Sequence, residues 1–290
     1  MICNDCPRKC NVNRSEKQGF CQSPDEIRLA RASLHFWEEP CISSKRGSGA
    51  VFFSGCNLKC VYCQNFEISR QNRGQTVSAE KLLDIFNSLK AQGANNINLV
   101  NPTHYARVLA PVLEKWKGEL PVIYNSSGYE SVETLKMLDG LVDIYLPDFK
   151  YIRSDKAKEY SFAQDYPNVA KAALAEMRRQ QKEDAFNEDG IMQRGMIIRH
   201  LILPSNTNSS LEIIDYLSGN FPDTYLSLMA QYVPCGDLSD FPEINRKITK
   251  REYEKVVNHA LNKGLSKLFI QEHSSADKKF IPAFDFSGVL

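Results

Sequence analysis

The sequence predicts an α/β protein built on a parallel sheet and preceded by a small cysteine-rich segment. Three observations carry this. Short apolar runs alternate with stretches of helical periodicity from residue 50 to residue 271. The run 195–203, Gly-Met-Ile-Ile-Arg-His-Leu-Ile-Leu, has the dense apolar character of a strand covered on both faces. Four of the nine cysteines fall in residues 1–22, where Ile2, Val12 and Phe20 are the few large apolar side chains. Such a segment cannot bury a core alone, so a bound metal is the natural means of holding it together.

Taken in order, residues 23–48 read as an extended lead-in or short hairpin, with Ile27, Leu29, Leu34 and Phe36 alternating. The Glu38-Glu39-Pro40 stretch reads as a solvated edge. Ala50-Val51-Phe52-Phe53 is a strand broken by Ser54-Gly55. Residues 78–92 form a helix with Leu82, Leu83, Ile85, Phe86 and Leu89 on one face, ended by Gly93. Residues 96–100 are a strand. Residues 105–117 are a helix with Val108, Leu109, Val112, Leu113 and Trp116 inward, kinked or restarted at Pro111. Strand 121–124, helix 131–138 and strand 141–146 follow. Residues 154–189 read as mostly helical. Then come strand 195–203, helix 209–217, strand 224–229, a loop over 231–247, helix 249–261, strand 265–271 and a tail, 272–290. Strand–helix alternation implies right-handed crossovers and either a barrel, open or closed, or a doubly wound sheet.

The length of 290 residues suits one barrel-like domain as well as two smaller ones. We divide it into a segment 1–48 and a main domain 49–290. A formal net charge of +1 gives no electrostatic signal for nucleic acid or an anionic membrane. No run approaches the ~18 apolar residues of a membrane span. The first residues lack the basic and apolar regions of a signal peptide. An odd cysteine count without such a signal argues for metal in a reducing, cytoplasmic setting rather than a disulfide framework.

The chemistry collects on Cys56, Cys60 and Cys63, spaced Cys-x3-Cys-x2-Cys in the loop after strand 50–53. A structural zinc site closes with four protein ligands. Three thiolates on one short loop suit three corners of an iron–sulfur cubane and leave the fourth iron open to a substrate or cofactor. A zinc site with a distant fourth ligand, or plain buried thiols, are the alternatives. Cys3, Cys6, Cys10 and Cys21, with gaps of x2, x3 and x10, suit tetrahedral zinc first and an iron site or auxiliary iron–sulfur cluster second. Cys41 and Cys235 stand alone.

The stretch from Gly47-Ser48-Gly49 through Cys56, Cys60, Tyr62, Cys63, Gln64 and Asn65 resembles the radical S-adenosylmethionine (SAM) superfamily. Within it the chain resembles the pyruvate formate-lyase activating enzyme-like branch and its PflX-type members. The resemblance implies a partial (β/α)6 barrel. It implies a [4Fe–4S] cluster on the three cysteines whose open iron is chelated by the amino and carboxylate groups of SAM. Reductive cleavage of the sulfonium then yields methionine and a 5′-deoxyadenosyl radical, with the electron drawn from a donor such as flavodoxin or ferredoxin. Tyr62 matches the aromatic beside the adenine, and His35 with the Glu pair resembles a His-x2-Glu-Glu-Pro stretch of that branch. The branch offers one substrate, a backbone glycine of a partner glycyl radical enzyme; another peptide or a small metabolite is equally open.

In such barrels functional groups follow the C-terminal ends of the strands. The second strand ends in Asn101-Pro102-Thr103-His104, where the resemblance implies contact with the SAM amino group. The third ends in Asn125-Ser126-Ser127-Gly128, which would approach the ribose and carboxylate through Asn125 and Ser127. The fourth ends in Pro147-Asp148-Phe149-Lys150, like the Asp-x-Lys of activating enzymes. The fifth carries Arg199, whose planar fork suits a carboxylate, and His200, which faces the other way and reads as structural. Gln231–Cys235 and 271–273 would line the substrate mouth. The competing class is a non-enzymatic iron–sulfur or zinc module, an electron carrier or scaffold, which would saturate its cluster with four protein ligands.

Overall fold

The structure is a computed structural model that describes residues 2–271 and 282–290. Its elements in chain order are β1 (Ile2–Cys3), β2 (Val12–Asn13), β3 (Ile27–His35), α1 (Pro40–Ser43), β4 (Ser48–Phe53), α2 (Phe66–Ser69), β5 (Gln75–Val77) and α3 (Ala79–Ala91). There follow β6 (Ile97–Val100), α4 (Ala106–Trp116), β7 (Val122–Ser126), α5 (Val132–Met137), β8 (Ile144–Pro147), α6 (Ser154–Ser161) and α7 (Tyr166–Gln180). The chain continues through β9 (Ala185–Phe186), β10 (Met192–Leu201), α8 (Thr207–Asn220), β11 (Tyr225–Met229), α9 (Lys250–Asn262) and β12 (Leu268–Ile270).

One sheet runs in the order β12-β11-β10-β8-β7-β6-β4-β3-β5. From β4 to β12 all neighbours in this path are parallel and joined by helical crossovers. β3 and β5 add antiparallel pairs at one edge. Among the described residues no ladder joins β12 to β5, so the sheet is open. It nevertheless curls: Glu38, just past β3, pairs with Arg199 in β10.

The register explains why the strands read as continuous apolar runs. Val51, Leu99, Tyr124 and Tyr145 are matched across neighbouring strands and face the helices in the main core. The alternate set, including Ile123, Ile144 and Ile197, faces inward and packs on Cys41 and Ile42 of α1. Both faces are therefore dry, as a parallel sheet requires. α1 is held at the N-terminal end of the strands by Asn95 and Asn96, whose side-chain amides donate to Ser43 O at 2.7 Å and Ile42 O at 3.0 Å.

Several elements differ from expectation. The stretch 154–189 is two helices that stop at Gln180, followed by a β9–β10 hairpin. An Asn-Glu-Asp-Gly turn closes the hairpin: the Asn187 side-chain oxygen accepts from the amides of Asp189 and Ile191, and Gly190 takes φ +73°. α4 runs unbroken through Pro111. The ring lies on the exposed face, where the carbonyl left without its amide partner meets water. Val108 is likewise on that face, 39% exposed, not inward. The last residues are not a loose tail. Ala32 N–H donates to Ser287 O, Phe286 N–H to Ala30 O, and Phe284 is buried against Phe52. Among the described residues no helix is long and apolar enough to cross a membrane.

Candidate active site

The loop after β4 carries the three thiols. Gly55 opens it at φ +91°, and a Cβ there would run into the Ser23 side chain and the Cys21 carbonyl. Asn101, at the end of β6, holds the loop from beside: its amide donates to Gly55 O at 2.7 Å, and its side-chain oxygen lies 3.9 Å from Cys56 Sγ. Each sulfur meets a donor. Leu58 N–H points at Cys56 Sγ (3.4 Å), Ser161 Oγ–H at Cys60 Sγ (2.9 Å) and Ser69 Oγ–H at Cys63 Sγ (3.3 Å). Burial raises the Cys60 pKa and pushes Cys63 up to about 12, with the neighbouring thiols adding to the rise. Neutral thiols need no such set of donors, whereas metal-bound thiolates do. The loop therefore fits an iron–sulfur cluster. Among the described residues no three His, Cys, Asp or Glu side chains converge on a single ion. A cubane does not ask for that, because each cysteine binds a different iron.

Cys60 and Cys63 form one wall of a cavity of about 220 Å³. Tyr62, Asn125, Asp148, Lys150 and Arg199 line it too, so β7, β8 and β10 all deliver residues to the thiol loop. Asp148 accepts from Lys150 Nζ at 2.5 Å and from Arg199 Nε at 3.0 Å. Arg199 also donates to Asn125 Oδ1 (2.6 Å) and to Glu38 (3.2 Å). Burial raises the Asp148 pKa, but Lys150 and Arg199 more than offset it, and the carboxyl ends below its ordinary value. Burial lowers Lys150, yet Asp148 and Cys60 leave it above the usual lysine value. Gly128, at φ +74°, lets the β7 loop pass the Asp148 carbonyl, where any Cβ would collide. The cavity thus sets both signs of charge beside apolar Tyr62, Tyr232 and Val233.

Other expected contacts lie elsewhere. Thr103 does not line the cavity: its hydroxyl donates to Glu130 at 2.7 Å. His104 is buried with Nε2 2.7 Å from Ser54 O, and burial takes its pKa down to about 3. It pins the strand beneath the thiol loop. The 3₁₀ turn at Thr103–Tyr105 points both side chains into the core, which their spacing alone did not disclose. Ser127 is also turned away, its Oγ buried without a partner among the described residues and its carbonyl accepting from Tyr166. Asn101 and Cys56 sit beside the cavity rather than on its lining. His200 faces outward from the sheet between Phe149 O and Ser210 Oγ, with its pKa lowered by burial to about 4.

Glu38 and Glu39 are not a solvated edge. Glu38 lines the cavity and joins Arg199, Asn98 and Asn125, while Glu39 is 8% exposed. Only the likeness of His35-x2-Glu38-Glu39-Pro40 to a family stretch signalled them. Gln64, Asn65 and Gln231 also line the cavity. Residues 272 and 273, expected at the mouth, lie outside the described residues.

The cysteine-rich segment is clasped to the main domain. Arg8 donates to Asn57 O (2.8 Å) and Phe162 O (2.6 Å), Arg107 pairs with Asp5 (2.8 Å), and Arg14 reaches Ser23 O and His104 O. Cys6 and Cys21 are buried, and Cys6, pushed by burial up to about 12, lies within electrostatic reach of Cys21, Cys3 and Cys10. These four thiols are gathered without closing a ligand shell around one point.

Glu130 makes a prediction of its own. It is 1% exposed, accepts from Thr103 and Tyr124, and burial raises its pKa to about 7. The folded chain then keeps a proton that the unfolded chain releases. Stability falls as pH rises between the unfolded and folded values, by about 3 kcal/mol in all. Glu130→Gln should flatten that slope in urea titrations between pH 5 and 8. An unchanged slope would show that Glu130 is not its source.

Against known proteins, a family model described as a 4Fe-4S single cluster domain matches residues 46–168, the span that contains the thiol loop and the ends of β6, β7 and β8. SuiB of Streptococcus suis, solved bound to the precursor peptide SuiA, is similar at a TM-score of 0.52 and 12% identity. That match covers 75% of this chain and 46% of SuiB, so the chain spans less than half of SuiB, and the likeness is one of fold. The uncharacterized protein MJ0674 of Methanocaldococcus jannaschii is 30% identical over 268 residues, 89% of this chain and 74% of the relative. With the cluster-domain match, a parallel α/β sheet like that of SuiB and this long alignment, the chain belongs to the family of MJ0674.

Proposed function

We propose that the chain is a radical SAM enzyme whose open sheet is a partial (β/α)6 barrel. One observation carries the reading: three sulfurs, two of them buried and that of Cys63 half-buried, each with its own donor, sit on a loop at the wall of a cavity holding Tyr62, Asn125, Asp148, Lys150 and Arg199. Cys56, Cys60 and Cys63 would hold a [4Fe–4S] cluster. When bound and reduced by an external donor, that cluster would supply one electron to the sulfonium of SAM, giving methionine and a 5′-deoxyadenosyl radical that takes hydrogen from a substrate. The protein's part is to bind, orient and exclude water. Asp148 suits the ammonium end of SAM, Lys150 and Arg199 its carboxylate, and Tyr62 its adenine.

The substrate reading that the fold supports is a peptide or protein segment, a glycine of a partner glycyl radical enzyme being one case. SuiB, which shares the fold, is known bound to a precursor peptide. The N-terminal thiols are proposed to hold a second metal, zinc before iron–sulfur, that stiffens the segment clasped by Arg8 and Arg14.

The test is anaerobic. Protein reconstituted with iron and sulfide should bind one SAM per chain and release 5′-deoxyadenosine and methionine once reduced. A filled, reduced cluster with no SAM binding would favour the carrier or scaffold reading instead. Zinc near one per chain, in protein purified without added metal, would support the second site.

A further inference from the structure

We propose that Ser161 is a positioning residue of the cluster site, and that a file of buried hydroxyls, Tyr62–Tyr151–Ser161, holds its proton on the Cys60 sulfur. The proposal rests on reading the thiol loop as a [4Fe–4S] site. Tyr62 Oη lies 2.6 Å from Tyr151 Oη, Tyr151 Oη lies 2.7 Å from Ser161 Oγ, and Ser161 Oγ lies 2.9 Å from Cys60 Sγ. All four residues are buried, so bulk water does not compete for these bonds.

The end of the file sets its direction. A metal-bound thiolate has no proton to give, so Ser161 must donate to it. Ser161 Oγ is then free to accept from Tyr151, and Tyr151 Oη to accept from Tyr62. Three hydroxyl protons point one way, from the cavity wall to the ligand sulfur, and each bond polarises the next.

The fold holds this arrangement from several sides. Ser161 is the last residue of α6, and Phe162 ends the helix in the left-handed region at φ +54°. Val61 N–H donates to Tyr160 O at 2.9 Å, fixing the helix end to the thiol loop. Arg8 spans both, on Ser161 O (3.3 Å), Phe162 O and Asn57 O. The file therefore joins the thiol loop to two residues ten positions apart, at the start of the α6 segment and at its end, and the backbone that carries Ser161 is fixed against that loop.

Reduction adds negative charge to a cluster, and donors to its sulfurs stabilise the reduced form, raising the potential. Removing the donor should shift the midpoint to more negative values. The shift should be largest for Ser161→Ala, smaller for Tyr151→Phe, which leaves Ser161 unpolarised, and smallest for Tyr62→Phe. Ser161→Thr, which keeps a hydroxyl, should return towards wild type.

The experiment is an anaerobic redox titration of the reconstituted full chain without substrate, read by electron paramagnetic resonance, with iron content measured on each variant. The graded negative shift at unchanged iron content is the expected result. Wild-type potentials in loaded Ser161→Ala and Tyr151→Phe would overturn the proposal. If Ser161→Ala does not load, Tyr151→Phe, which touches no ligand, decides it alone. A wild-type chain that takes up no cluster would overturn the site reading and this proposal with it; a loaded wild type with unshifted variants overturns this proposal only.

Discussion

Cys60→Ala is expected to lose the cluster and, with it, all formation of 5′-deoxyadenosine. The reason is ligand number. The loop offers three thiols, so removing one leaves two protein ligands for a group that needs at least three to leave a single iron open. Cys60 is also the sulfur most tightly built into its surroundings, buried and receiving the Ser161 hydroxyl at 2.9 Å. Alanine is the informative replacement, since a serine oxygen could itself ligate iron. Cys41→Ala is the control. Cys41 is equally buried, but it packs with Ile42, Ile123 and Ile144 on the inner face, away from the loop. The control should retain iron and activity. Iron content, absorption of the reconstituted protein and 5′-deoxyadenosine assays decide the matter. Wild-type iron in Cys60→Ala would remove Cys60 from the ligand set.

Asp148→Ala should destabilise the fold by about 3–5 kcal/mol, the range for stripping one partner from a buried ion pair. Asp148 is the shared partner of two cations, Lys150 and Arg199, and the three side chains are only 14–15% exposed. Without it, two buried positive charges face each other with Glu38 as the remaining carboxylate on Arg199. Asp148→Asn, which keeps the shape and one acceptor, should lose less. Combining Asp148→Ala with Lys150→Met should recover part of the loss, because the second change removes an orphaned charge. Urea unfolding at neutral pH reads all three. A loss below about 1 kcal/mol would mean the pair behaves as a solvated one. The folded pKa of Asp148 is depressed. Its contribution is therefore fully present above the ordinary aspartate value and is lost as pH falls through the folded value.

Both predictions turn on residues whose chemistry could be read from the chain. The Cys-x3-Cys-x2-Cys spacing after a dry strand needs no tertiary information, because a loop that short keeps its thiols together however the rest folds. Strand–helix alternation was equally legible, since parallel strands buried on both faces must be apolar throughout. Arg199 and His200 on opposite faces of β10 followed from the pleat alone. Local signals also mislead where a short turn decides direction. Thr103 and His104 follow a strand end, as site residues do, but a 3₁₀ turn rotates them into the core to serve Glu130 and Ser54.

What only the tertiary structure decided is which distant polar groups share one low-dielectric space. Glu38 reads as a surface charge beside Pro40, yet the curl of the sheet brings it onto Arg199, 161 residues away. Ser161 looks like an ordinary helix-end serine, yet it donates to a sulfur 101 residues earlier. Arg8, in a segment with little core of its own, reaches the thiol loop and the end of α6 together. The sequence by itself determined that three thiols share one short loop and that strands alternate with helices, because covalent spacing and apolar periodicity are local. The partners that position that chemistry had to wait for the fold, because hydrogen bonds and ion pairs between remote residues leave no periodic trace in the chain.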